Sequence, residues 1–145
     1  MLEQDKKLFK GICKEIKWEE TIPIRHRVLW PDKAPEFCHV SGDESAQHFG
    51  IFIDAKLVGV ASVYLDNKSA RLRKFATLNE FQGRGVGTQL LAHILDTVKK
   101  NRVRDFWCDA RESSIGFYER FGMCKEGDRF YKSDISYYKM NKLIR

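Results

Sequence analysis

Closely spaced cysteines are missing: Cys13, Cys38, Cys108 and Cys124 lie 25, 70 and 16 positions apart, so no C-x-x-C pair marks a zinc or redox site. Cys38 and His39 are neighbours, with His26 and His48 close in sequence, yet adjacent side chains on extended chain point in opposite directions and do not share an ion. No metal is expected. No apolar run approaches the ~18 to 20 residues of a membrane span, and Met1 to Lys10 lacks the apolar core of a secretory signal, so the expected compartment is the cytoplasm and no membrane partner is expected. Proline is scarce and confined to Pro23, Pro31 and Pro35, which marks an irregular N-terminal region. The basic residues never gather into a block of five to eight, so they read as a solvated surface and no nucleic-acid partner is expected.

What is present is an ordinary globular composition, with 43% hydrophobic and 32% charged residues in a chain of 145. That length predicts one domain over residues 1–145, with a core able to fold without metal or disulfides. The net charge of +6 favours anionic ligands without choosing between nucleotide, nucleic acid and acidic surface.

Ile12 to Trp18 alternates apolar and charged residues, which predicts a first strand. Thr21 is placed to cap a short helix through Ile24, Val28 and Leu29 that Pro31 stops, with loop from Pro31 to Ala46. Ile51 and Ile53, then Leu57, Val58, Val60 and Val63, flank Asp54-Ala55-Lys56 as a β-hairpin, and Ala70 to Thr77 adds a third antiparallel strand beyond the Asn67-Lys68 turn. Val86, Leu90, Leu91, Ile94, Leu95 and Val98 form the stripe of an amphipathic helix between Gly85 and Lys100. Phe106 to Cys108 suits a buried strand, Ser113 to Phe121 a helix stopped by Gly122, and Met123 to Glu126 and Ser136 to Leu143 two last strands.

The segment Gln82-Gly83-Arg84-Gly85-Val86-Gly87-Thr88 sits between the Ala70 to Thr77 strand and the long helix. Glycines at every second residue let consecutive backbone amides approach an anion, and the helix N-terminus adds partial positive charge, so a pyrophosphate fits there. A P-loop needs a lysine before Thr88, and a dinucleotide fingerprint needs a repeated βαβ array; neither is present. A bare strand-to-helix turn is the alternative reading of the same glycines.

Gln82, Gly85 and Gly87 fit the pattern [QR]-x-x-G-x-[GA], and Gly116 to Met123 resembles the segment FYEKLGF. Together these make the sequence similar to the GCN5-related N-acetyltransferase (GNAT) family from roughly Phe49 to Leu143, and Ile22 to Leu29 looks like the opening helix of some small members. The resemblance implies an α+β, three-layer fold whose mixed, mostly antiparallel sheet splays between strands 4 and 5. It implies acetyl-CoA as donor: backbone groups of Phe75, Ala76 and Thr77 pair with the pantetheine arm, the amides of Gly83, Arg84, Gly85, Val86, Gly87 and Thr88 hold the pyrophosphate beside Gln82, and Arg84 adds charge. Arg111 stands where many members carry a cofactor-contacting Asn, and can serve a phosphate instead.

Acetyl transfer from a thioester to a primary amine needs a neutral nucleophile, a stabilised oxyanion and a proton for the departing thiolate. Tyr118 is the expected catalytic acid, a phenol protonated at neutral pH, set against a purely packing role. Glu80, Asp109 and His39 are the candidate bases. Arg25 and Arg27 beside Trp30 can bind an acidic acceptor or simply coat a helix surface. The amine-bearing acceptor itself is open among polyamine, aminoglycoside, amino acid, peptide and protein lysine. A non-catalytic acyl-CoA sensor is the alternative function, and Ile135, Tyr137, Tyr138 and Met140 suggest an edge strand for a homodimer. Gly85→Val is expected to block the backbone approach to the pyrophosphate without unfolding the chain.

Overall fold

The computed structural model describes residues 7–145. The elements in chain order are β1 (Ile12–Ile16), α1 (Trp18–Ile24) running into a π-helical turn (Arg25–Leu29), β2 (Gln47–Ile53), β3 (Lys56–Asp66), β4 (Ser69–Thr77), α2 (Val86–Lys100), β5 (Asp105–Arg111), α3 (Ile115–Glu119), β6 (Cys124–Lys132) and β7 (Ile135–Leu143). One sheet in the order β1-β2-β3-β4-β5-β7-β6 contains all seven strands, antiparallel throughout except between β4 and β5. No helix among the described residues is long and apolar enough to cross a membrane.

Helices cover both faces of this sheet. His48 pairs with Ser62 and Phe49 with Ala61 across β2 and β3, so neighbouring residues point to opposite sides. Ser62 accepts a hydrogen bond from Arg25 at the end of α1, whereas Phe49 packs edge-on against His93 of α2. Residues Val58 to Val63 of β3 are consequently buried without a break, as a strand covered on both faces requires. The predicted stripe of α2 is the buried one: Val86, Leu90, Leu91, Ile94 and Val98.

Several local readings shift. Trp18 opens α1 instead of closing β1, because the Lys17 amide donates to the Glu20 carboxylate at 2.8 Å and starts the helix there. Thr21 is therefore not the cap; it is buried inside the helix and donates to the Trp18 carbonyl at 2.6 Å. The hairpin turn is Asp54-Ala55, both left-handed at φ +50° and +67°, as a two-residue hairpin demands, and Lys56 already belongs to β3. The segment after Phe106 extends to Arg111, and β6 runs on to Lys132.

The edge-strand dimer through Ile135, Tyr137, Tyr138 and Met140 is corrected by the topology. β7 lies between β5 and β6, paired on both sides, and Met140 is fully buried. A strand with both ladders occupied has no backbone groups to offer a partner.

The site-forming feature is the β4–β5 contact. These parallel strands pair only at Ser69 to Arg71 with Asp105 to Trp107, and beyond that they diverge. From Leu72 to Thr77 the β5-facing edge of β4 has no neighbouring strand.

Candidate active site

Two cavities meet where the sheet opens. The first lies over the glycine turn and is bounded by Phe75, Thr77, Phe81, Gln82, Gly83, Gly85 to Thr88, Ser114, Phe117, Tyr118 and Arg120. Gly83 and Gly85 are left-handed, at φ +72° and +79°, which is why this turn needs glycine at both places. Gly87 has a different reason: it is helical, and a Cβ there would stand 3.4 Å from the Phe75 ring and 3.8 Å from Phe117, filling the cavity floor. Among the described residues, the amides from Gly83 to Thr88 meet no carbonyl in hydrogen-bond geometry. Unpaired donors at the start of a fifteen-residue helix are chemically able to receive an anion.

The flanks of the turn are tied down. Gln82 donates to the Thr77 carbonyl at 2.9 Å and to Asn79, fixing the end of β4 to the turn. Gln89 braces the other side, accepting from the Gly11 amide at 2.9 Å and donating to the Phe9 and Gly85 carbonyls. Arg84 turns away from the cavity and lies 5.1 Å over the Phe9 ring. Ala76 is buried and pairs with Val60 of β3, so its side chain does not reach the cavity either.

The second cavity, about 320 Å³, opens between β4 and β5, with Leu29 and Trp30 on one side and Lys132 and Tyr137 on the other. Its β4 wall contains a bulge: the pairing with β3 slips between Val60 and Ser62, and Lys74 takes a left-handed φ of +56°, unusual for a residue with a Cβ. Lys74 and Phe75 are thereby left without partners in the β3 register.

Phe75, Ser114 and Tyr118 line both cavities. Tyr118 projects from α3, is only 9% exposed, and sits against Cys108 of β5. Burial, and then the neighbouring Cys108 sulfur, push its phenol far above the ordinary range. Cys108 is itself raised to about 12 by burial and by the Asp109 charge. Both groups therefore remain protonated at neutral pH.

The β4/β5 cavity is lined by Arg71, Arg73, Lys74, Arg111 and Lys132, with Asp109 as its one carboxylate. Asp109 accepts from Arg71 at 3.0 Å and from Lys132 at 3.4 Å. Burial first, and then Arg73, Lys132, Arg25 and Arg71, depress the Lys74 ammonium to about 8. The structure thus places Arg111 on this cavity and not on the glycine turn.

Of the three candidate bases, Asp109 alone lines either of these two cavities. Glu80 faces Arg27 at 3.5 Å with both side chains about half exposed or more, and His39 stacks on Trp18 and pairs with Glu44. Arg25 overturns the surface reading completely. It is fully buried in an ion pair with Asp43 at 2.7 Å and donates to the Cys38 carbonyl and Ser62 as well. His48 and Tyr64 complete that cluster through Asp43 and Ser62.

The basic wall at Arg71, Arg73, Lys74 and Lys132 was not visible as a site in the sequence. The signal was present in the alternation of arginines around the buried Leu72, just before the strand end, but it has the form of any solvated strand face.

Comparison with known proteins adds the following. The family model described as an acetyltransferase (GNAT) domain matches residues 26–144. The N-acetyltransferase YitI of Bacillus subtilis (strain 168), itself uncharacterized, is 32% identical over 126 residues, covering 81% of this chain and 85% of the relative. Among solved structures, the ribosomal-protein-S18-alanine N-acetyltransferase of Escherichia coli superposes with TM-score 0.77 at 18% identity, covering 93% of this chain and 94% of that one. ElaA of Escherichia coli gives TM-score 0.78 at 15% identity over 92% of this chain and 99% of the other. These two likenesses concern the fold.

Proposed function

The chain belongs to the GNAT family of acetyl-CoA-dependent N-acetyltransferases, and from that premise we propose that its two cavities divide the reaction, the donor over the glycine turn and a primary amine between β4 and β5. The observation that carries this reading is the row of amides from Gly83 to Thr88 that meet no acceptor among the described residues, beside the β4 edge from Leu72 to Thr77 that no described strand covers.

The residues fit the donor. The Gly83 to Thr88 amides and the α2 N-terminus suit a pyrophosphate, and the glycine at position 87 keeps the floor low enough for the chain to lie against Phe75 and Phe117. The free edge at Phe75, Ala76 and Thr77 suits the amide groups of a pantetheine arm added like a further strand, although Gln82 already holds the Thr77 carbonyl. Gln82 and Arg84 act by shaping the turn. The bulge at Lys74-Phe75 supplies backbone donors outside the β3 ladder, where charge develops on the thioester oxygen.

In the transfer, the neutral amine attacks the thioester carbonyl carbon; a C–N bond forms, the C–S bond breaks, and the amine proton leaves as the thiolate gains one. Tyr118, shared by both cavities, is placed to hydrogen-bond the departing sulfur. Its raised pKa makes complete proton transfer to a thiolate uphill, so its contribution is a charge-assisted hydrogen bond. Asp109 is the carboxylate within reach of the amine side. All four cysteines are free thiols, which supports a reducing, cytoplasmic setting.

The test is a melting-temperature titration with acetyl-CoA paired with a thiol-release assay over an amine panel. A ligand confined to the native state stabilises by ~2.7 kcal/mol at a hundredfold excess over Kd. A saturable upward shift with amine-dependent release of free CoA is expected. Binding without release across the panel would leave a sensor, and no shift at millimolar acetyl-CoA would remove the donor site.

A further inference from the structure

We infer that the acceptor is a small amine that also carries an oxyanion, a carboxylate or a phosphate, held by the cationic walls of the β4/β5 cavity. The inference rests on the two-cavity reading above and names the substrate class of its second half.

Charge is the first argument. Five cationic side chains face one carboxylate, and that carboxylate is already shared by Arg71 and Lys132. Arg73, Lys74 and Arg111 have no carboxylate within 4.0 Å among the described residues. Gathering like charges in a half-enclosed space costs free energy that an anionic ligand would recover. The same field repels a polyamine or an aminoglycoside, whose additional ammonium groups would enter against it.

Hydrogen bonding is the second. Arg71 stacks on Trp107 at 4.6 Å and donates through Nη2 to Asp109 at 3.0 Å, while its Nη1 has no acceptor among the described residues. A guanidinium fixed by stacking and by Asp109, with Nη1 unused, is set to take an oxygen acceptor. Size is the third. About 320 Å³ is at the lower end of small-molecule sites and suits a compact substrate.

The arrangement also eases the chemistry. Burial first, and then the charges of Arg73, Lys132, Arg25 and Arg71, lower the Lys74 ammonium, and an acceptor ammonium in the same cavity meets the same desolvation and the same cationic wall. The amine is thus shifted toward the neutral, nucleophilic form while the oxyanion anchors the molecule.

Matched amine pairs test this: ethanolamine phosphate against ethanolamine, and 4-aminobutyrate against 1-aminobutane, with a short C-terminally amidated peptide that has a free N-terminus and no acidic side chain beside them. The phosphate and carboxylate arms separate the two anion sources. Thiol release should favour the anionic member of at least one pair by about ten- to a hundredfold in kcat/KM, the range of one or two charge-assisted hydrogen bonds. Arg73→Gln and Lys132→Gln should each raise KM for that amine about tenfold while the acetyl-CoA melting shift stays as in the parent. Calorimetry on the CoA-saturated protein should show the anionic amine binding. Equal or better turnover of the neutral members or of the peptide would overturn the inference, as would anion binding that disappears once CoA is loaded, since the cations would then belong to the donor. Failure of every pair to bind or react while acetyl-CoA still shifts the melting temperature would also overturn it. Absence of that shift would instead bring down the donor-site reading.

Discussion

Tyr118 is held protonated by its surroundings, and that decides what it can contribute. Its ring is buried against Phe117 and Cys108, and desolvation first, then the Cys108 sulfur, disfavour the phenolate. Tyr118→Phe keeps the ring and removes the donor. If the phenol stabilises the leaving sulfur, kcat falls by about 10- to 10²-fold, the scale of one hydrogen bond to a charged partner, with the acetyl-CoA Kd nearly unchanged. Wild-type kcat in the variant would return Tyr118 to packing alone. The choice of this residue was available in the sequence, because the FYER segment fixes where the helix after β5 begins. Its neighbour Cys108 was not, since contact between a strand and a helix ten residues apart depends on how the sheet opens.

At the scale of elements, the glycine turn divides into positions with different duties. Gly85→Val is no longer the clean test that its spacing suggested: φ +79° strains any side chain there, and a Cβ meets Leu8 at 3.4 Å. Gly87→Leu is the better probe, because the backbone is helical, leucine is a stronger helix former than glycine, and the pattern at this position already admits the single methyl of alanine. The variant should fold and bind acetyl-CoA at least about tenfold more weakly, as the larger side chain occupies the floor beside Phe75 and Phe117. Unchanged affinity in calorimetry would mean that the donor does not pass over this floor. The turn and α2 were legible because one periodic stripe and three glycines specify them locally. The bulge at Lys74 was not, because a left-handed lysine is selected by the β3 register and not by its own preference.

For the whole molecule, the buried cluster around Asp43 couples the N-terminal region to the sheet. Arg25 follows α1, Asp43 comes from the irregular stretch before β2, and Ser62 and Tyr64 lie on β3, so one carboxylate joins three parts of the chain. Asp43→Ala strands the fully buried Arg25 charge and should lower stability by ~3 to 5 kcal/mol in denaturant melts. Burial raises the Asp43 pKa, but hydrogen bonds from Arg25, Tyr64 and the Val40 amide, with the Arg25 charge, outweigh it and hold it at about 2. An unfolded Asp titrates near ~3.9, so this stabilisation is complete above that pH and is lost as the pH falls toward and through 2. Stability measured from pH 5 to 2 should therefore decline less steeply in Asp43→Asn than in the parent. Sequence patterning places charged residues on surfaces, and a buried arginine becomes visible only when separate segments converge. Amide hydrogen exchange with and without saturating acetyl-CoA probes the proposed seat of the donor, the Gly83 to Thr88 amides and the open edge of β4. Slower exchange concentrated at residues 83–88 and 75–77 is the predicted result. Protection elsewhere, with those amides exchanging as fast as in the free protein at saturation, would contradict it.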